Sequence, residues 1–467
     1  MPQLHLHNSQ TRRREPFIPA DPDHVRLYVC GPTVYDLPHL GNVRATVVFD
    51  VLARLLRTLY PRLTYVRNIT DVDDKINARA AESGEPIATI TARTTQDFQA
   101  DMAAIGNLPP DMEPRATAHI PEMIEVITRL IATNHAYVAE GHVLFAVASF
   151  AQYGALSGRT PADLIAGNRI EIAPYKRDPG DFVLWKPSPD NLPGWPSPWG
   201  RGRPGWHIEC SAMAWRYLGE SFDIHGGGTD LIFPHHENER AQSLCAFPNS
   251  QFAKTWLHNG MLQVNGEKMS KSRGNFFTLR DVLSRAPAEA IRLLILRTHY
   301  RALLDFTETA LIESKREIDR FYRALERTPP GAPATFPEGA MEALCNDLNT
   351  PGAIASMRML ADAALEGDKE ASSRLLAVGQ SLGLLQLSPD NWFRPPIVAS
   401  LSETLVARMN VSASVTCGDA RLNELIEERK QARVCRNFAR ADAIRAELAA
   451  QGITLEDNST GTTWRRA

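Results

Sequence analysis

The sequence predicts an α/β fold: an open, doubly wound parallel sheet of the Rossmann-like kind, interrupted by an insertion and followed by α-helical C-terminal domains. Three stretches carry that prediction. An apolar run from Val25 to Val29 stops at Cys30-Gly31-Pro32, as a buried strand ending in a turn does. An amphipathic stretch from Asn42 to Tyr60 follows, with Val47, Val48, Val51, Leu52, Leu55, Leu56 and Leu59 on one side of a helix. A second apolar run, Leu63 to Ile69, then ends in the acidic turn Asp71-Val72-Asp73-Asp74. Strand, helix and strand in this order open a βαβ unit, and such sheets bind ligands at the carboxyl ends of their strands.

The elements after this opening are read from period and punctuation. Residues 85–135 read as mostly helical. Pro174 to Trp206 is rich in Pro, Gly and Trp without a period, and reads as loop walling an active site. Strand–loop–helix units are expected around Phe222–Gly228 and Trp256–Val264, and an amphipathic helical stretch from Pro287 to Arg327. The Pro/Ala/Gly segment 329–340 reads as a linker, 341–388 as a small helical bundle, and Pro389–Pro396 as another boundary. The tail opens with one charged helix, Arg421 to Ala450, and closes on Thr462-Thr463-Trp464-Arg465-Arg466. The domains so drawn are 1–275, with an insertion at about 110–205, then 276–328, 341–396 and 401–467.

Composition bounds the function classes. The 467 residues, 43% of them hydrophobic, suffice for a large core and several domains. The N-terminal residues, with His5, His7 and Arg12 to Arg14, hold no apolar signal core, and no later run is long enough to span a bilayer. Six cysteines without framework spacing point to a reducing cytoplasm. A net charge of −3 gives no global pull on nucleic acid, so such a partner needs clustered Lys and Arg. The tail helix offers Arg429, Lys430, Arg433, Arg436 and Arg440 at every third or fourth position.

Two groups of residues carry chemistry. Cys30 and Cys210, remote in the chain, together with Pro234-His235-His236-Glu237-Asn238-Glu239, read as a zinc site. Pro234 suits the first turn of a helix, from which residues four apart point the same way. Two thiolates, one imidazole and one carboxylate satisfy a tetrahedral ion and leave it able to take a further sulfur ligand. Spacing alone does not choose between His235 and His236, since Glu239 is i+4 from one and i+3 from the other. The second group handles phosphate. In Pro38-His39-Leu40-Gly41-Asn42, Gly41 allows close backbone approach, and the helix start offers free amides. Downstream, Lys268-Met269-Ser270-Lys271-Ser272 puts two lysines on a Gly-flanked loop, suited to the charge on a departing pyrophosphate.

P-H-L-G-N at 38–42 and K-M-S-K-S at 268–272 resemble the two signatures of class I aminoacyl-tRNA synthetases. C-G-P-T-V-Y-D at 30–36, N-I-T-D-V-D-D-K-I at 68–76, R-P-G-W-H-I-E-C-S-A-M at 203–213 and D-I-H-G-G-G-T-D-L-I-F-P-H-H-E-N-E at 223–239 narrow the resemblance to the bacterial cysteinyl-tRNA synthetases. It runs almost end to end, reaching G-T-T-W-R-R at 461–466. Asn42 departs from the His common at that place in class I, as is familiar in the cysteine branch.

The resemblance implies ATP-dependent joining of L-cysteine to tRNA(Cys) by way of an adenylate, in a cytoplasmic monomer. It implies zinc ligands Cys30, Cys210, His235 and Glu239, and so selects His235. His39, Lys268 and Lys271 become catalytic, with His39, Gly41, Asn42 and Lys271 on ATP and Mg²⁺ accompanying the nucleotide. Gly31, Thr70, Trp206, Gly228 and Asp230 fall at the amino acid, with Gly226 to Gly228 letting adenosine approach the backbone. The domains become a catalytic domain (1–275), a stem-contact region (276–328), a bundle (341–396) and an anticodon-binding module (401–467). His225 and His207 fall either at the adenylate or in the core as satisfied histidines, and no role is assigned to His236. Two rivals compete: a cysteine ligase with an amino-sugar acceptor, which lacks such a tail, and a non-catalytic tRNA-binding protein, which has no need of the lysines or metal ligands.

Overall fold

The computed structural model describes residues 2–159, 173–270, 273–394, 419–434, 437–450, 453–458 and 461–466. An N-terminal hairpin of β1 (His5–Asn8) and β2 (Arg13–Pro16) precedes β3 (His24–Val29), the helix Leu40–Leu59 and β4 (Arg62–Arg67). Then come β5 (Ala136–Ala139), β6 (His142–Phe145), β7 (Phe182–Pro187), β8 (Gly202–Pro204), β9 (Ser221–Gly228) and β10 (Phe252–Asn259). The central sheet has the order β10-β9-β3-β4, and every pair in it is parallel. This is the doubly wound arrangement that the βαβ opening predicts.

Alternation along β3 explains why both faces of the sheet are covered. Val25, Leu27 and Val29 join a core with Val43, Val47 and Leu52 of the helix Leu40–Leu59. Tyr28, pointing the other way, joins a second core with Met123 and Val126 of the helix Ile120–Ala132 and Ile208 and Met213 of the helix Trp206–Leu218. Each such aliphatic side chain taken from water contributes about 1.5–3 kcal/mol. The β10 edge is covered by the N-terminal hairpin: Ser9 N–H donates to the Trp256 carbonyl at 2.9 Å, and Trp256 N–H to Asn8 Oδ1 at 3.1 Å.

Several expectations need correction. Pro174–Trp206 is not all loop, because β7 and β8 complete an antiparallel sheet, β5-β6-β7-β8. These strands are short and end at Pro187 and Pro204, so no alternation registers over the stretch. The 287–327 stretch is two helices, Ala288–Leu296 and Glu308–Arg327, separated by a strand. With β11 (Leu262–Val264) and β12 (Glu267–Lys268), that strand, β13 (Leu304–Phe306), forms a small sheet. Leu303, Leu304 and Phe306 keep the apolar signal running through the break.

The helices Glu338–Cys345, Thr350–Leu365 and Lys369–Ser381 form the bundle, the first of them starting inside the expected linker. Pro389 does not end structure but begins the short helix Pro389–Phe393, where its missing N–H costs nothing. The charged tail helix is two, Asp419–Val434 and Phe438–Ala450. Asn437 accepts from Arg440 N–H at 3.2 Å and starts the second. A hairpin of β14 (Ile453–Asn458) and β15 (Gly461–Arg466) follows. Arg436 lies outside the described residues. No helix among those described is long and apolar enough to cross a membrane.

Candidate metal centre and nucleotide cleft

The carboxyl ends of β3, β9 and β10 open into a cleft of about 430 Å³. Cys30, Gly31, His39, Gly41, Asn42, Trp206, Gly228, Asp230 and Lys268 line it. Cys210, His235 and Glu239 are buried behind its wall. Thr70 is buried too, its hydroxyl accepting from Asn68 Nδ2 at 3.1 Å, and it is not among the lining residues. Lys271 lies outside the described residues. Gly31 is obligatory: a Cβ there would stand 1.6 Å from the Asn68 carbonyl oxygen.

At one end of the cleft, one donor atom from each of Cys30, Cys210, His235 and Glu239 lies within 4.8 Å of the others. The two sulfurs are 3.7 Å apart, and Glu239 Oε1 stands 3.3 Å from Cys30 Sγ and 2.9 Å from His235 Nε2. Tetrahedral zinc with bonds of about 2.3 Å to sulfur separates two thiolates by about 3.8 Å, so the pair fits that ion. Cys30, His225, His236 and Glu239 satisfy the same distance test. That second set has one sulfur, and its His225 Nε2 is already engaged by Glu239 Oε2 at 2.8 Å, while His236 Nε2 is buried without a hydrogen-bond partner among the described residues. His235 does not stand on the regular helix, which starts at Glu237, but in one wide turn before it, Ile232–His236.

Three neighbours invisible to spacing hold these ligands. His225 Nε2 lies 2.8 Å from Glu239 Oε2, leaving Oε1 to face the cluster. His207 Nδ1 lies 2.9 Å from His235 Nδ1, and the Trp206 ring stacks on His235 at 4.2 Å. Trp206 is expected at the amino acid, and the sequence signal for His207 and His225 is that each stands in a motif string, 203–213 and 223–239. Burial disfavours charge on the outer rings: it lowers His207 and His258 to about 3 and His236 well below its usual value. His235 is the exception, since Glu239 and Cys210 overcome burial and raise it to about 10. Cys210 falls to about 6, chiefly through the hydrogen bond from Cys30, whose own thiol is pushed up by burial. Burial opposes the Glu239 charge, yet His225 and His235 hold its carboxyl well below the ordinary range.

At the other end, the helix Leu40–Leu59 begins earlier than its apolar period suggests, and His39 is its cap. His39 Nδ1 accepts from the N–H groups of Gly41 at 3.1 Å and Asn42 at 3.3 Å, and Asn42 Oδ1 accepts from His39 N–H at 3.3 Å. Two of the amides expected to be free for phosphate are therefore taken by the imidazole. Since Nδ1 accepts, the ring proton is on Nε2, which makes that atom a donor. Lys268 stands exposed on the β11–β12 hairpin. Buried Arg44 ties the two pieces together, donating to the carbonyls of Gly260, Met261, Tyr300 and Ala302 at 2.9, 2.5, 3.1 and 2.5 Å.

The Gly run does not as a whole admit a ligand. Gly226 and Gly227 lie inside β9, where a Cβ would come within 2.2 Å of the Phe49 ring and 2.8 Å of the His236 ring, and only Gly228 reaches the cleft. Asp74 accepts from Lys186 at 2.6 Å and Arg203 at 3.1 Å, fastening β7 and β8 beside the cleft.

Residues 16–316 match the family model for class I (C) tRNA synthetase catalytic domains, and residues 418–465 that for cysteinyl-tRNA ligase anticodon-binding domains. A cysteine-tRNA ligase of Acidiphilium cryptum is 64% identical over 100% of both chains. That of Gluconobacter oxydans is 61% identical over 99% of this chain and 98% of its own. Among solved structures, an Agrobacterium radiobacter LeuRS in a ternary complex with tRNA is 12% identical, covers 79% of this chain and 83% of its own, and superposes with a TM-score of 0.54. A Mycobacterium tuberculosis methionyl-tRNA synthetase in complex with methionyl-adenylate is 18% identical over 77% and 82%, at a TM-score of 0.50. These two share the fold alone. From parallel sheet to tail hairpin, and by identity along its whole length, the chain belongs to the cysteinyl-tRNA synthetase family of class I.

Proposed function

We propose that this chain catalyses the ATP-dependent ligation of L-cysteine to tRNA(Cys) through a cysteinyl-adenylate. The observation that carries the reading is one cleft with a sulfur-rich metal-ligand cluster at one end and His39 and Lys268 at the other. The cysteine carboxylate attacks the α-phosphorus of ATP, and pyrophosphate leaves. A terminal ribose hydroxyl of the tRNA then attacks the mixed anhydride and releases AMP. Neither step needs covalent help from the protein, so positioning and electrostatics supply the rate.

His39, its Nδ1 held by the helix start, presents an Nε2–H donor to phosphate oxygens. Lys268, with Lys271 assigned by resemblance, stabilises charge on the departing pyrophosphate. Asn42 and Gly41 shape the phosphate seat, and Mg²⁺ arrives with the nucleotide. Gly31 and Gly228 line the amino-acid seat and make room for the Asn68 carbonyl and the Asp230 carboxylate, Trp206 closes one side, and Asp230 balances the ammonium. Thr70 is buried, so its part is to hold the floor through Asn68.

Cys30, Cys210, His235 and Glu239 would hold zinc, which supplies a borderline-soft Lewis acid with a strong preference for a thiolate over a hydroxyl. An apolar pocket alone separates such near-isosteres by only about 10–200-fold. Discrimination against serine is then complete at binding, without hydrolytic correction. Residues 401–467 bind the anticodon end, and the protein works as a cytoplasmic monomer. The match of residues 418–465 to an anticodon-binding family favours a tRNA acceptor over an amino-sugar.

Aminoacylation of bulk tRNA with labelled cysteine and serine, with and without a zinc chelator, tests the reading. Cysteine alone should be attached, and the chelator should abolish it. Serine activated within tenfold of cysteine by the zinc-replete enzyme would sink the metal-based selection.

A further inference from the structure

Asn259 ends β10 beside Gly228 of β9 and lines the cleft. Its side chain is 4% exposed. Nδ2 donates to the Gly260 carbonyl at 3.1 Å, while Oδ1 is buried without a hydrogen-bond partner among the described residues. Buried polar atoms nearly always find partners, so an unmatched oxygen at the wall of a binding cleft marks a place where a ligand donates.

Position narrows which ligand that is. The sheet order puts β9 between β10, which Asn259 ends, and β3, which Cys30 follows, a separation of about 10 Å at ordinary strand spacing. From Asn259 the chain runs through Gly260, Met261 and Leu262, all lining the cleft, into the hairpin that carries Lys268. Asn259 therefore stands on the nucleotide side of the cleft, away from the metal cluster. Ionised phosphate oxygens offer no proton to a carbonyl, whereas the ribose hydroxyls and the adenine 6-amino group do.

We propose that Asn259 Oδ1 accepts a hydrogen bond from a donor on the nucleoside half of ATP, so that Asn259 helps set nucleotide specificity. This assignment rests on the adenylation reading above, and goes beyond it by naming a residue that neither phosphate-handling motif contains.

The test is cysteine-dependent ATP–pyrophosphate exchange with the full-length, zinc-loaded protein. The nucleotides are ATP, purine riboside triphosphate (without the 6-amino group), 2′-deoxy-ATP and 3′-deoxy-ATP. Wild type should favour ATP over one of the three analogues by about tenfold or more. Asn259→Leu, near in volume but without an acceptor, should raise the KM for ATP about tenfold and leave the KM for that analogue unchanged. Zinc content and the KM for cysteine should stay as in wild type. The analogue whose disadvantage vanishes identifies the donor. Asn259→Ala provides the same comparison should the leucine variant fail to fold. Equal losses with all four nucleotides, or a shift in the KM for cysteine instead, would overturn the assignment. So would a wild type that accepts every analogue as well as ATP. Absence of exchange in wild type would overturn the adenylation reading itself, and this assignment with it.

Discussion

The two ends of the cleft are built by opposite means. At the metal end, Cys30 follows β3, Cys210 sits on the helix Trp206–Leu218, and His235 and Glu239 flank the start of another helix. Side chains from three separate segments converge there, and only Cys30 reaches the open cleft. At the nucleotide end, His39, Gly41 and Asn42 lie within one helical turn, and Lys268 is on an exposed hairpin. The first end exists only when the whole fold is in place, and its ligands are locked by His225 and His207. The second is local and open. On the proposed reading, rigid, dry geometry suits sorting a thiol from a hydroxyl, whereas the exposed Lys268 suits charge that appears and departs.

The comparison predicts an all-or-none response at the first end. Cys210→Ser should reduce bound zinc from one per chain to a trace, and cysteine-dependent exchange about 10³-fold or more, beyond the 10–100-fold typical of outer-shell partners. Metal analysis and exchange rates measure both. A variant that keeps zinc and cysteine selectivity would break the idea that this end is indivisible. Lys268→Ala should lower kcat for exchange about 10²–10³-fold while zinc content and the KM for cysteine stay fixed. Loss of zinc there would show that the two ends are not separable.

His225→Gln sharpens the contrast from inside. His225 is hydrogen-bonded to the cluster through Glu239 Oε2, so in the four-ligand set Cys30, Cys210, His235 and Glu239 its removal loosens a ligand without deleting one. Zinc affinity, read by competition with a chromogenic chelator, should fall about 10–100-fold. No change would mean that Glu239 is oriented by the helix Glu237–Ala246 alone.

Legibility from sequence follows the same division. The βαβ opening was readable because β3 and β4 are short apolar runs around one amphipathic helix. Short strands in mixed company were not: β7 and β8 hide among Pro, Gly and Trp, and β13 hides in an apolar helical period. Asn437 splits the tail helix through one side-chain cap, a signal that charge periodicity overrides. At the site, motif strings drew attention to Cys30, His39 and Lys268, but no spacing rule could reveal that His225 stands behind Glu239. The Gly226–Gly227 pair looked like a ligand approach and proves to make room for Phe49 and His236. The misses at His225 and at Gly226–Gly227 share a cause, since packing between distant segments is absent from any local pattern.

The smallest expected effect tests the double duty of His39. Its Nδ1 caps the helix Leu40–Leu59 while, on the proposed reading, Nε2 carries the proton offered to phosphate, so substitution would remove a structural contact and a chemical one together. Asn is among the best helix caps, and its carbonyl can take the place of Nδ1, but it is too short to present the second donor. His39→Asn should therefore retain stability and lose exchange activity, by about 10–100-fold in kcat, as one hydrogen bond to a charged group is worth. His39→Ala should lose the same activity and, in addition, about 1 kcal/mol of unfolding free energy. Denaturant titration beside exchange kinetics separates the two terms. Equal stability of the two variants would mean that the rest of the fold, through Arg44 and the buried face of the helix, holds its first turn without a cap.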